Sequence, residues 1–129
     1  MPRILAVDPG EVRIGLAVCD PTGTIARPLK ILKHTSRETD AESILASARE
    51  TAAERIVVGV AFDVEGAAGP QARRALRLVK ALKGKTSIPV ETWDESGSTQ
   101  AAHRSRRAGP DDARAAAVIL QEYLDAQKP

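Results

Sequence analysis

The chain has 129 residues, of which 43% are hydrophobic and 28% charged, and a formal net charge of +2, which predicts one soluble domain with a hydrophobic core of its own. One phenylalanine, one tryptophan and one tyrosine are present, which excludes a nucleic-acid surface built on stacked aromatic side chains, and the single cysteine, Cys19, excludes an internal disulfide and a cysteine-based zinc site. Since no signal peptide and no apolar run of membrane-spanning length is found, we expect a cytoplasmic protein without a membrane partner.

The chain opens with two short apolar runs, residues 4–7 and 14–18, which predict two strands. Asp8 ends the first run, and the turn residues Pro9 and Gly10 follow it, so an antiparallel hairpin is the simplest pairing. An uninterrupted apolar run is typical of a strand buried on both faces. Asp8 is therefore expected at the carboxyl end of a central strand, where open α/β sheets bind ligands. The alternative is an aspartate that only starts a turn.

A third strand and a first helix follow this hairpin. Residues 25–32 form the strand, and Pro28 within it predicts an edge position or a break. Thr35 or Ser36 is the expected helix cap, and apolar residues at helical spacing extend the helix to about Ala53.

The next two elements are a buried strand at residues 56–60 and a second helix that begins at Pro70 and ends at Gly84. The predicted buried stripe of this helix consists of Ala72, Ala75, Leu76, Val79 and Leu82.

A fifth strand at residues 89–93 ends at Asp94 and Glu95, and residues 110–112 open a last helix. The buried stripe predicted for that helix consists of Ala113, Ala116, Ala117, Leu120 and Leu124. Three strands joined by hairpins and then alternating helices and strands predict an α/β protein of the ribonuclease H-like fold. We expect a mixed five-stranded sheet with helices on both faces.

Basic residues are concentrated in two stretches that contain no acid, residues 70–85 and 99–109, whereas residues 38–54 are strongly acidic. This segregation indicates a polyanionic partner such as nucleic acid, although each stretch by itself also fits an ordinary solvated helix face. The candidate phosphate-binding residues are Arg73, Arg74, Arg77, Lys80, Arg104, Arg106 and Arg107.

Acidic residues end two predicted strands and open the last helix: Asp8, Asp94 with Glu95, and Asp111 with Asp112. Oxygen ligands without histidine or cysteine select hard cations such as Mg²⁺ or Mn²⁺. Two such ions can activate water and stabilise the leaving oxygen of a phosphodiester. The alternatives are a solvated turn for the first pair and an ordinary helix cap for the second.

Four segments carry a family resemblance that covers nearly the whole chain in order. They are Asp8-Pro-Gly10 with Arg13-Ile-Gly15 and Asp20; Val58-Gly59, Gly66 and Gly69-Pro-Gln-Ala-Arg73; Asp94-Glu95 with Thr99; and Asp112 with Ala115-Ala116 and Ile119-Leu120-Gln121. Together they resemble the YqgF/RuvX family of pre-16S rRNA nucleases and Holliday junction resolvases.

The resemblance implies that residues 1–129 form a single nuclease domain in which Asp8, Glu95 and Asp112 are the catalytic, metal-binding acids. The implied activity is metal-dependent hydrolysis of phosphodiester bonds, with Mg²⁺ or Mn²⁺ as the cofactor. The expected substrate is the 5′ end of pre-16S rRNA, and branched or single-stranded DNA is the alternative. The protein would act as a monomer or a homodimer.

The chain departs from the family pattern at Ser96-Gly97-Ser98, where the family usually has Arg-Leu-Thr. The missing arginine removes an expected phosphate contact, so a nucleic-acid-binding module with weakened catalysis is a further alternative. A lysine that often precedes the last acid is also missing. A nucleotide-binding phosphotransferase of the actin-like type is disfavoured because that fold needs two such domains around the nucleotide.

Overall fold

The element order agrees with the one predicted from the sequence. The computed structural model describes residues 3–62, 65–95 and 113–127. The elements in these ranges are β1 (Ile4–Asp8), β2 (Arg13–Cys19), β3 (Ala26–Lys33), α1 (Arg37–Glu50), β4 (Arg55–Val60), α2 (Pro70–Lys83), β5 (Val90–Asp94) and α3 (Arg114–Ala126).

The five strands form one mixed sheet in the order β3-β2-β1-β4-β5. β2 is antiparallel to both β1 and β3, whereas β1, β4 and β5 run parallel. β1 is therefore the central strand and β3 an edge strand, as predicted. Pro28 of β3 pairs with Ala17, beside a shift in register between Leu16 and Ala17, because proline cannot donate a ladder hydrogen bond.

The helices cover both faces of the sheet, as expected. Leu5 and Val7 of β1 pack with α1 and α2 in one hydrophobic core. Ile4 and Ala6 point the opposite way and pack with α3 in a second core, since successive side chains of a strand alternate between its faces. We call the second side the α3 face.

Helix α1 begins at the predicted cap but ends earlier than predicted. The Ser36 hydroxyl accepts a hydrogen bond of 3.1 Å from the Thr39 N–H. The helix ends at Glu50 rather than near Ala53, because Ala52 adopts a left-handed backbone with φ of 56°. The Ala53 N–H then donates to the Ala48 carbonyl at 2.8 Å. This conformation is uncommon for alanine, so the sequence carries no stop signal there.

The buried stripes of α2 and α3 differ in part from the predicted ones. In α2, Leu76 is 37% exposed and Leu78 is buried instead. Leu78 faces the gap toward α1, where it shares a cavity with Arg37 and Asp40, so the buried stripe is turned toward the neighbouring helix. In α3, Ala117 is only half-buried. The additional buried residues of α3 are Ala115, Ile119 and Tyr123, because this helix lies across β1, β2 and β3.

A polar and aromatic cluster joins α3 to β4 and β5. Trp93 and Tyr123 meet edge to face, with ring centroids 5.7 Å apart. The Tyr123 hydroxyl accepts a hydrogen bond of 3.0 Å from Arg55, which also forms an ion pair of 2.6 Å with Glu91. No helix in the described ranges is long and apolar enough to span a membrane.

Candidate active site

Asp8 is the last residue of the central strand and lies on the α3 face. It pairs with Gly15 of β2. It also shares the side of Ile4 and Ala6, which pack with α3, because residues two apart in a strand point the same way. A Cβ atom built on Gly15 would stand 3.8 Å from the Asp8 Cβ and 3.6 Å from the Ala113 Cα. The absence of a side chain at Gly15 therefore lets the start of α3 approach Asp8.

Glu95 directly follows β5 and lies on the same face. Its backbone N–H donates to the Val60 carbonyl at 3.0 Å, and its side chain is 1% exposed. The neighbouring Asp94 is exposed. The predicted alternation is thus confirmed: Glu95 points into the protein and Asp94 points away from it.

Asp8 and Glu95 lie on the two sides of Gly59 of β4, on the α3 face. The Glu95 Oε2 atom lies 3.1 Å from the position of a Cβ atom built on Gly59. Val7 pairs with Val58 in the parallel register, so the next residue along, Asp8, is beside Gly59 at the strand spacing of about 4.8 Å. A glycine inside a strand often marks the close approach of another group. Here it leaves room for two carboxylates at the carboxyl edge of the sheet.

The third predicted acid, Asp112, lies outside the described residues, as does Asp111. Asp112 directly precedes Ala113, whose Cα is the α3 atom near Gly15. Within residues 3–62, 65–95 and 113–127, no group of three histidine, cysteine, aspartate or glutamate side chains is placed to hold a metal ion.

The donor set that the structure brings together fits a hard cation. Asp8 and Glu95 supply only oxygen atoms, which Mg²⁺ and Mn²⁺ prefer, and Gly59 between them adds no side chain.

The basic residues predicted on α2 do not lie on the α3 face, because α2 covers the opposite side of the sheet. Arg73 donates to the Ala68 carbonyl at 2.7 Å, and Arg74 forms an ion pair of 3.2 Å with Glu11. Arg77 and Lys80 are exposed. The other three predicted phosphate-binding residues, Arg104, Arg106 and Arg107, lie outside the described residues.

Two further charged residues of the opening motif have distinct positions. Arg13 begins β2 two residues before Gly15, so it lies on the α3 face as a cation near the acids. In the sequence, Arg13 is distinguished only by its place in the motif Arg13-Ile-Gly15 of the family resemblance. Asp20 accepts hydrogen bonds from the Thr24 and Ile25 N–H groups at 2.8 and 2.9 Å. The bond from Ile25, then those from Thr22 and Thr24, hold the pKa of Asp20 well below its usual range.

Comparison with known proteins supports one family over almost the whole chain. The model of the family described as "RuvX: Holliday junction resolvase" matches residues 2–126. A protein of Anaeromyxobacter sp. (strain Fw109-5), named "Putative pre-16S rRNA nuclease", is 42% identical over 95% of this chain and 96% of its own. A protein of the same name from Thermoanaerobacter pseudethanolicus is 38% identical over 98% of both chains.

Solved structures support the fold. Thermus thermophilus RuvC in complex with a Holliday junction substrate matches with a TM-score of 0.65 and 17% identity, over 98% of this chain and 96% of that one. The fowlpox virus resolvase in complex with Holliday junction DNA matches with a TM-score of 0.54 and 12% identity, over 98% and 99%. At these identities the similarity shows a common RuvC-like ribonuclease H fold.

Proposed function

Because the chain belongs to the RuvX family of nucleases, we propose that Asp8, Glu95 and Asp112 form the catalytic centre of a metal-dependent phosphodiesterase acting on nucleic acid. The observation that carries this proposal is the position of Asp8 and the buried Glu95 on the two sides of Gly59, on one face of the sheet. The two acids come from different strands and meet where α/β sheets bind ligands. If Asp94 and Glu95 only formed a solvated turn, the Glu95 side chain would be exposed, whereas it is buried.

The proposed metal sites use the three acids as ligands, with Mg²⁺ or Mn²⁺ as the cofactor. When bound, such ions lower the pKa of a water molecule and stabilise charge on a leaving oxygen. The backbone of Asp8 is held in the central strand and that of Glu95 by its hydrogen bond to Val60, so both acids stand on ordered backbone before substrate arrives. Arg13, on the same face, is suited to contact a substrate phosphate.

The proposed substrate is the 5′ end of pre-16S rRNA, which the names of the relatives support. We further propose that the protein acts in the cytoplasm, as a monomer or a homodimer, and that residues 1–129 form one nuclease domain. Backbone contacts from basic residues carry no sequence information, so the choice of cleavage site would depend on the shape of the RNA.

A four-way DNA junction is the second candidate substrate. It is supported by the description of the family and by the fold shared with the RuvC–junction complex. The support for a junction is a family description and a fold match at 17% identity. The support for rRNA is the name of relatives that are 42% and 38% identical over nearly their whole length. The two substrates use the same acids and differ in how the strand is presented.

The test is a cleavage panel with the full chain. A labelled pre-16S rRNA 5′ fragment, single-stranded RNA and DNA, and a four-way DNA junction are each incubated with Mg²⁺, with Mn²⁺ and with EDTA. We expect metal-dependent cleavage of the rRNA fragment that EDTA abolishes. Cleavage of the junction alone would support the second candidate. Binding without cleavage of any member would support the module with weakened catalysis and overturn the proposal.

A further inference from the structure

A cavity of about 250 Å³ lies between the start of α1 and the middle of α2, on the side of the sheet opposite α3. Three arginines from the two helices line it, Arg37, Arg74 and Arg77. Pro9 and Gly10, the two residues after Asp8, also line it. The cavity therefore begins at the sheet edge that carries the proposed catalytic acids.

The cations of this cavity are only partly neutralised. Neither Arg37 nor Arg77 has an ion-pair partner among residues 3–62, 65–95 and 113–127. Arg74 has one, Glu11, whose side chain is highly exposed. The excess charge of the cavity is therefore positive.

The lining also contains one carboxylate, that of the buried Asp40, and this group already has two protein partners. It contacts the His34 ring at Nδ1 and accepts a hydrogen bond of 3.0 Å from the Thr35 N–H. The contact with Asp40 fixes the imidazole orientation, while His34 itself lines the cavity. Asp40 thus orients His34, and the three arginines still outnumber the two carboxylates near the cavity, Asp40 and Glu11.

Arg37 is unfavourably placed for folding alone. It is the first residue of α1, directly after the Ser36 cap, where the helix dipole repels a positive charge. Glu38 and Asp40 of the same turn offset part of this repulsion. Arg74 and Arg77 of α2 line the same cavity and add mutual repulsion. A bound anion would convert this repulsion into attraction.

We propose that this cavity binds a phosphate group of the nucleic-acid strand next to the site of cleavage, with Arg37 and Arg77 as its main ligands. The proposal rests on the nuclease function proposed above and adds to it a subsite on the opposite side of the sheet. A strand seated here would pass over Pro9 and Gly10 to reach the acids.

An adjoining cleft favours a strand over a free phosphate ion. Its charged lining consists of four cations, Arg37, Arg77, Lys80 and Lys85, and one acid, Glu38, and it has a volume of about 480 Å³. Lys85 also forms an ion pair of 3.6 Å with the exposed Glu42. From Arg74 to Lys80 these cations extend about 9 Å along α2, which is longer than a single phosphate ion. A free phosphate ion would occupy only the first cavity, whereas a nucleic-acid strand would occupy the cavity and the adjoining cleft together.

The experiment measures binding of a fluorescein-labelled single-stranded RNA to the full chain in EDTA, over a range of salt concentrations. Arg37→Ala and Arg77→Ala should each weaken binding about tenfold, as expected for loss of a charged hydrogen bond. Each should also reduce the slope of log K against log salt by about one. The matched control is Arg49→Ala, at the exposed opposite end of the same helix, which should bind as the parent does.

Two further arms identify the source of the phosphate and separate this proposal from the nuclease function. Inorganic phosphate and a mononucleotide are used as competitors, and single methylphosphonate linkages are scanned along the oligonucleotide. We expect weak competition and one linkage whose neutralisation reproduces the Arg37→Ala defect. If the variants bind RNA like the parent, or alter only the binding of free phosphate, the subsite is wrong. In that case, cleavage by the parent protein would still support the proposed nuclease function. If the parent neither binds nor cleaves any nucleic acid, both proposals fail.

Discussion

The Oε2 atom of Glu95 lies 3.1 Å from the point at which a Cβ atom on Gly59 would stand. The same point is 2.6 Å from the Ile119 Cδ1 atom, closer than atoms in a folded core approach. Gly59 thus lies between the Glu95 carboxylate and Ile119 of α3. Any side chain at position 59 must displace Glu95, Ile119 or both.

We expect Gly59→Ala to lower stability and to reduce cleavage. Overpacking of this kind costs about 1–3 kcal/mol, and the inserted methyl group also displaces the Glu95 carboxylate. Thermal melting and single-turnover cleavage measure the two effects separately. Adding Ile119→Val removes the Cδ1 atom and should restore most of the stability but little of the cleavage. Full recovery of both would mean that Glu95 tolerates the methyl group and that its exact position is unimportant.

Glu95→Gln should reduce turnover by more than about 100-fold, since even residues that only support a metal ligand change affinity or activity by about 10–100-fold. Its melting temperature should be unchanged or higher, because an acid beside Asp8 is neutralised. Asp94→Asn is the matched control: this side chain is exposed and faces away, so measurable activity should remain. An active Glu95→Gln protein together with an inactive Asp94→Asn protein would reverse the roles of the two neighbours.

Asp8→Asn should abolish metal-dependent cleavage while the protein remains folded, because the change preserves volume and removes only the charge that a cation needs. Cleavage of the rRNA fragment and the circular dichroism spectrum are the measurements. Glu54→Gln serves as the control, since it removes an exposed carboxylate just before β4, at the other edge of the sheet. An Asp8→Asn protein as active as the parent would make Asp8 a turn residue only.

Asp20→Asn should lower stability in a pH-dependent way without affecting catalysis. The pKa of Asp20 is held below its ordinary value of 3.8, chiefly by the Ile25 N–H. Because the folded pKa is depressed, the carboxylate contributes its full stabilisation above pH 3.8 and loses it as the pH falls toward the lower folded value. Urea unfolding between pH 7 and pH 2 should therefore show a gap between parent and variant that narrows in acid. A gap independent of pH would assign the effect to packing.

The sequence predicted those parts of the fold that depend on local patterns. Ser36 caps its helix because a hydroxyl at that position can accept a backbone hydrogen bond, and Pro28 lies on an edge strand because it lacks an N–H. The predicted buried stripe of α2 includes Leu76, which is partly exposed, and omits Leu78, which is buried. Helical periodicity locates an apolar stripe, but the packing of α2 against α1 decides which flank of that stripe is covered.

The candidate site was predictable only in its residue types. Strand alternation put Glu95 and Asp94 on opposite faces correctly, since alternation is a local property. The cavity formed by Arg37 with Arg77 was not foreseen, because it depends on how two helices come together on the sheet and bring side chains 40 residues apart in the sequence to one place. Arg37 in isolation resembles any exposed helical arginine.

The edge-to-face contact of Trp93 with Tyr123 joins the only tryptophan and the only tyrosine of the chain. One ring belongs to β5 of the sheet and the other to α3. The intrinsic ultraviolet fluorescence of this protein is therefore a native reporter of whether α3 is seated on the sheet. Any step in which α3 lifts away, during folding or on addition of metal or RNA, can be followed by energy transfer between the two rings without an introduced label.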